Sequence, residues 1–313
     1  MVRGKMEEWY DIKNRGTMGS GAGEIKEVTI LGRTVRWTEE GIEYEADGEH
    51  RRKLMAAEGL EDDSSSVVGP AVSMDDEREK MDLRVLEKEE HKQLRSMGAR
   101  MNYLGQDRSD IQYVVKEICQ GMSAPSEGGR AKLKRVARYL VGARRLVWKY
   151  GEKKGDDETV WVIVYVDSDW ATGWERKSTS GGMITVDGVG VKHWSRTQKA
   201  RALSTGEAEY YAMVTGCAEG LGLQALADDL GWKVTVQIWT DSSAAKAVAK
   251  RRGLGKLRHV ELKWLWVQDM MKEGRAKLRT VRGDENVAGH LTKPKTRAEV
   301  EWLLEKVGAE FRE

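Results

Sequence analysis

Asp167, Glu209 and Asp241 are the residues of this chain whose type and setting could do chemistry together. Asp167 ends the run Val160-Trp161-Val162-Ile163-Val164-Tyr165-Val166. A carboxylate behind such a run is costly to bury unless it is paired or bound to a metal. Asp241 follows Gln237-Ile238-Trp239-Thr240 and precedes Ser242-Ser243-Ala244. Between them lies Leu203-Ser204-Thr205-Gly206-Glu207-Ala208-Glu209-Tyr210. Ser204 and Glu207 have the spacing of a capping box, which gives Glu207 a local structural task. Glu209 has no such task, and it shares a helical face with Ala212, Met213 and Gly216. Hard cations such as Mg²⁺ take carboxylate oxygens, and paired ions run in-line displacements at phosphate. Two plainer readings stand beside this one: Asp167 as a strand-end acid reaching solvent, and Asp241 as a helix N-cap.

The elements that must bring these acids together follow from pattern. Residues 160–170 read as a strand buried on both faces, and 181–195 as a hairpin turning at Asp187-Gly188. Residues 204–231 read as a long helix, 234–250 as a strand running into a helix, 259–274 as a further helix and 276–283 as a last strand. The order is that of an α/β fold with a mixed sheet. Upstream, 27–37 and 42–46 read as strands joined by a turn at Thr38–Gly41, and 50–60 as a helix closed by Gly59. Residues 1–24 read as a disordered tail and 61–80 as a polar linker. A charged hinge at 151–159 divides a unit over 25–150 from one over 158–295, with a C-terminal helix or tail over 296–313.

Composition narrows the function classes. The chain has 313 residues, of which 40% are hydrophobic and 33% charged, so a folded core with a charged surface is expected. No run approaches the length of a membrane span, and no partner membrane is expected. Two cysteines and five histidines leave no disulfide framework and no Cys/His zinc site, which fits an intracellular setting, cytoplasmic or nuclear. The net charge of +2 hides blocks: residues 39–92 carry 18 acids against 8 bases. Residues 130–154 carry 10 bases against one acid, and residues 250–282 carry 11 against three. Basic blocks of this kind suit a polyanion, although a solvated helix face gives the same pattern.

Six motifs then fall in order: Tyr165-Val166-Asp167-Ser168-Asp169-Trp170-Ala171, Arg176-Lys177-Ser178-Thr179-Ser180-Gly181, Trp194-Ser195-Arg196-Thr197-Gln198, the Leu203–Tyr210 run, Thr240-Asp241-Ser242-Ser243-Ala244 and Leu291-Thr292-Lys293-Pro294. Together they resemble the ribonuclease H domain of copia-type retrotransposon polyproteins. Leu31-Gly32-Arg33, Tyr103-Leu104, Asp110-Ile111 and Lys134–Gly142 resemble the end of that family's reverse transcriptase and its connection. The resemblance implies a ribonuclease H-like fold, a five-stranded mixed sheet with flanking helices, preceded by a smaller α+β connection segment. It implies cleavage of the RNA strand of an RNA–DNA hybrid with Mg²⁺, or Mn²⁺, at Asp167, Glu209 and Asp241, with Asp169 as polar cover at the mouth. Arg176, Lys177, Ser178, Gln198, Arg251, Arg252, Lys256, Arg258 and His259 would contact the nucleic acid.

The sequence departs from that pattern twice. No Tyr-x-Asp-Asp motif is present, so DNA polymerisation is not expected. The family's last acid falls on Gly289, for which Asp284 and His290 are the nearby substitutes, with Glu285 beside them. A metal-dependent ribonuclease H and a non-catalytic, nucleic-acid-binding remnant of a truncated polyprotein are therefore both open at this point.

Overall fold

The computed structural model describes residues 2–73, 81, 84–151, 160–172, 176–255 and 259–313. The stretch expected as a tail opens with helix α1, Val2–Trp9, and Met18 bridges Ile25 further on. The expected single strand at 27–37 is two strands, β1 (Glu27–Ile30) and β2 (Arg33–Thr38). Leu31 and Gly32 between them have φ of 51° and 81°, the left-handed pair that a two-residue hairpin turn requires. Strand β3 (Gly41–Glu45) follows, and α2 (Gly48–Ala57) is capped by Asp47, whose side chain accepts from Glu49 N.

Helices α3 (Lys88–Leu104), α4 (Ser109–Gln120) and α5 (Glu127–Gly142) enclose a core of Leu94, Met101, Ile111, Val115, Leu133 and Leu140. Strand β4, Arg145–Tyr150, ends this unit. The expected hinge at 151–159 lies outside the described residues apart from Gly151.

The second sheet is built from β5 (Val160–Asp169), β6 (Thr179–Val186), β7 (Val189–Thr197), β8 (Val234–Thr240) and β9 (Ala276–Thr280). Its order is β7-β6-β5-β8-β9, with β7, β6 and β5 antiparallel and β5, β8 and β9 parallel. This is the mixed five-stranded sheet of the expected ribonuclease H-like α/β fold. Asp187 and Gly188, at φ 47° and 86°, make its hairpin turn. Helix α6 (Thr205–Asp229) lies across the sheet, with Val162, Val164 and Val166 beneath Tyr210, Met213 and Cys217. Gly216 permits the approach, because a Cβ there would stand 2.3 Å from Val166 Cγ1. Helix α7 (Ser243–Lys250) follows β8, and the helix expected at 259–274 is a 3₁₀ turn, Leu262–Leu265, leading into α8, Trp266–Lys272.

The last segment is no loose tail. Helix α9 (Arg297–Glu305) carries a Thr296/Glu299 capping box, and β10 (Ala309–Arg312) pairs antiparallel with β4. The first sheet is thus β1-β2-β3-β4-β10. One apolar cluster joins both sheets through α9: Leu146 and Trp148 from β4, Met183 from β6, and Val300, Leu303 and Leu304. Polar contacts add to it, since Lys116 Nζ donates to Thr179 Oγ1 (2.8 Å) and His193 Nδ1 lies 2.6 Å from Gln112 Oε1.

Candidate metal centre

Strands β5 and β8 are parallel neighbours, with Tyr165 opposite Trp239, so their C-terminal ends lie side by side. Asp167 is near the end of the first and Asp241 follows the second. The expected N-cap reading of Asp241 does not hold: Ser242 caps α7, its side chain accepting from Ala245 N. Alternation along β5 turns Val162, Val164 and Val166 toward α6, and Tyr165 toward the other layer. Asp167 belongs with Tyr165, and it meets Glu209 at the strand's end. Oxygens of Asp167, Glu209 and Asp241 all lie within 4.8 Å of one another. Asp167 is 5% exposed and Glu209 7%, whereas Asp241 is exposed.

Burial raises both inner acids above the usual carboxylate range. For Asp167 it outweighs a hydrogen bond from the Thr292 hydroxyl and the positive charge of Lys293, while Asp241 and Asp169 push the same way as burial. Glu209 is pushed up to about 8, by burial first and then by the charge of Asp167. Its Oε2 is buried with no hydrogen-bond partner. An orphaned oxygen on an acid that meets two further carboxylates fits a divalent cation, and an all-oxygen donor set suits a hard one.

The short 3₁₀ helix Val287–Leu291 closes the site from the Asp167 side. Asn286, 1% exposed, pins it: its Nδ2 donates to Val166 O (2.9 Å) and its Oδ1 accepts from Ala288 N (3.1 Å). A Cβ at Gly289 would stand 3.9 Å from Asp167 Oδ2, so position 289 faces the centre. The offered substitutes do not. Asp284 is bound to Arg282 at 2.7 Å on the surface, and Glu285 to Lys306 at 3.2 Å. His290 is buried, with Nδ1 2.6 Å from Val287 O, and burial pushes it down to about 4. No fourth acid joins the cluster among the described residues. Asp169 is half-buried at the mouth and accepts from the Thr172 hydroxyl.

The residues expected on nucleic acid divide. Gln198 and Ser178 are buried ties: Gln198 Nε2 donates to Ser180 Oγ and Ala208 O, and Ser178 Oγ accepts from Ala171 N. His259 Nε2 lies 2.9 Å from Glu207 Oε2, and Glu207 also accepts from Leu203 N and Tyr211 Oη. Arg251 donates to Leu254 O. Arg176 and Arg252 are exposed, and Lys177 is half-buried. Lys256 and Arg258 lie outside the described residues.

Part of the basic block at 130–154 is engaged within the upstream unit, on α5 and β4. Arg130 pairs with Glu90, Arg135 donates to Gly69 O, Arg138 to Ser65 O, and Arg145 is bidentate on Glu45 (2.6 and 2.8 Å). Two residues beside the centre lacked a role in the sequence reading, Thr292 and Lys293. Their only signal was membership of the Leu291–Pro294 motif.

No protein-family model matches the chain. It is similar to the retrovirus-related Pol polyproteins from transposon RE1 of Arabidopsis thaliana and transposon TNT 1-94 of Nicotiana tabacum. Both are 28% identical, over 66% and 68% of this chain and 14% and 16% of theirs. The secreted RxLR effector protein 161 of Plasmopara viticola is 34% identical over 42% of this chain and 89% of its own length. Among solved structures, the N-terminal RNase H domain of rv2228c from Mycobacterium tuberculosis, fused to maltose-binding protein, aligns over 47% of this chain and 98% of that one. Its identity is 13% and its TM-score 0.30. The chain thus spans about one seventh of the plant polyproteins it matches. The homologues of this chain are thus retrovirus-related Pol polyproteins of plant transposons, and with the motifs and the sheet described above it is similar to the C-terminal part of a copia-type polyprotein.

Proposed function

We propose that this protein is a metal-dependent nuclease that hydrolyses the RNA strand of RNA–DNA hybrids. The observation that carries this reading is the convergence of Asp167, Glu209 and Asp241 within 4.8 Å, together with a buried Glu209 oxygen, Oε2, that has no partner. These three residues would hold Mg²⁺ or Mn²⁺, which when bound supplies Lewis-acid activation of water and of the phosphate. The chain's own part is positioning. Thr292 orients Asp167 by donating to its Oδ2, Asn286 fixes the 3₁₀ helix against β5, and burial of the inner acids keeps bulk water away from two of the three carboxylates. Selectivity for RNA would come from 2′-hydroxyl contacts in the shallow minor groove, with exposed Lys250 and Arg252 on phosphates.

A non-catalytic, nucleic-acid-binding role is the second reading, favoured by the glycine at position 289 and the engagement of Asp284 and Glu285 elsewhere. Incubating purified protein with end-labelled RNA annealed to DNA, in Mg²⁺ and then in Mn²⁺, separates the two. Metal-dependent cleavage that disappears in Asp167→Asn is the expected result. Binding of the hybrid without cleavage in either metal leaves the second reading.

A further inference from the structure

A paired-ion centre needs oxygens beyond those that hold the first ion, and position 289, on the flank of Asp167 that it faces, carries no side chain. The point where its Cβ would sit is 3.9 Å from Asp167 Oδ2, 4.0 Å from Lys293 Cε and 3.8 Å from Lys295 Cε. Two lysine stems therefore rim the space that a fourth carboxylate would fill. The ammonium of Lys295 is committed outward, 3.1 Å from Glu299 Oε1. Among the described residues Lys293 has no ion-pair or hydrogen-bond partner. It is exposed, and its charge acts on both Asp167 and Asp169.

We propose that this centre binds a single divalent ion, held by Asp167, Glu209 and Asp241, and that the ammonium of Lys293 occupies the flank where a second ion would bind. The inference rests on the nuclease reading above and specifies how its site is charged. Three carboxylates are balanced by one dication together with one ammonium. A second dication on that flank would gain no carboxylate of its own and would meet a fixed positive charge at short range, where repulsion is strong. An ammonium with three rotatable donors can also take a phosphate oxygen as negative charge grows on it. Lys293 is thereby a charge-stabilising residue for the proposed reaction, in a place where the sequence pattern calls for an acid-bound ion.

The test counts ions directly. Bound Mn²⁺ per chain is measured by electron paramagnetic resonance, with the protein saturated by a hybrid whose RNA strand is 2′-O-methylated and so resists cleavage. Cleavage of an ordinary hybrid is followed in parallel. Wild type should hold one ion, Lys293→Met one, Gly289→Asp with Lys293 retained one, and the Gly289→Asp/Lys293→Met double variant two. Lys293→Met should cut about 10²-fold more slowly, with part of the rate kept by Lys293→Arg. A Cβ at 289 meets its neighbours at ordinary contact distances and Lys293 is exposed, so these variants should fold. Two ions in wild type, or a wild-type rate in Lys293→Met, would overturn the proposal. One ion with no cleavage in either metal would remove the nuclease reading while the count still supports a single-ion centre. No bound ion would remove both.

Discussion

Glu209 is an acid that the fold keeps from ionising, and this has a measurable sign. Its proton is held in the folded chain up to about pH 8 and is released near pH 4.5 in the unfolded one. Between those values the unfolded state binds fewer protons, so stability without metal should fall as pH rises, by a few kcal/mol across the window. Asp167, also raised, adds in the same direction. A divalent ion replaces the proton, so the rise in Tm on adding Mg²⁺ should be larger at pH 8 than at pH 6. Glu209→Gln should flatten the metal-free slope and remove most of the Mg²⁺ effect; thermal unfolding across pH with chelator or Mg²⁺ checks both. At this scale the sequence was informative where a residue's type conflicted with its place. Asp167 behind an apolar run and Glu209 on a helix's inner face were both legible. Thr292 and Lys293 were not, because an ordinary hydroxyl and an exposed lysine show their use only once the chain folds them onto Asp167.

Elements set how closely those side chains meet. Helix α6 can lie on β5 because Gly216 leaves room for Val166. Gly216→Val should lift the helix from the sheet, cost about 1–3 kcal/mol by overpacking and separate Glu209 from Asp167. Urea unfolding would report the first effect, and loss of Mn²⁺ affinity the second. The strands and helices of the second sheet were readable from alternation, from the Asp187-Gly188 turn and from the apolar run of β5. The first sheet was less so. Alternation continues through 27–37, and only the conformation of Leu31 and Gly32 breaks it into two strands. β10 could not be read from four residues, Ala309–Arg312, whose pairing is decided by a distant partner.

Across the whole molecule, much of the charge asymmetry is settled internally. The acidic block before Lys92 and the basic block after Arg130 pair through Glu90–Arg130 and Glu45–Arg145, with Arg144 on the Asp62 carbonyl. Such solvent-accessible, partly buried pairs add modest stability, but they withdraw charge from any phosphate partner. Salt dependence of hybrid binding should accordingly report the later basic block. Combined Lys250→Ala and Arg252→Ala should flatten the log–log slope by roughly 0.7–0.9 per lost phosphate contact, and Arg130→Ala should leave it unchanged. Sequence counting located both blocks but could not tell which was spent on the protein itself. The cluster around α9 serves both sheets, so Leu303→Ala, at a site 1% exposed, should cost about 2–5 kcal/mol. Near- and far-ultraviolet circular dichroism should then melt together in one transition at lower temperature.

The pairing of β10 with β4 also orders events in time. Trp148 and Ala309 are register partners, and every strand of the second sheet lies within the loop they close, roughly 160 residues that make a slow, entropically costly closure. The strand pairings of the second sheet involve no residue outside that loop, so they can form while the edge of β4 is still bare. During refolding, amides of β5 and β8 should gain protection from exchange before those of β4 do, and in that interval the open edge of β4 is the place where two chains would stick together.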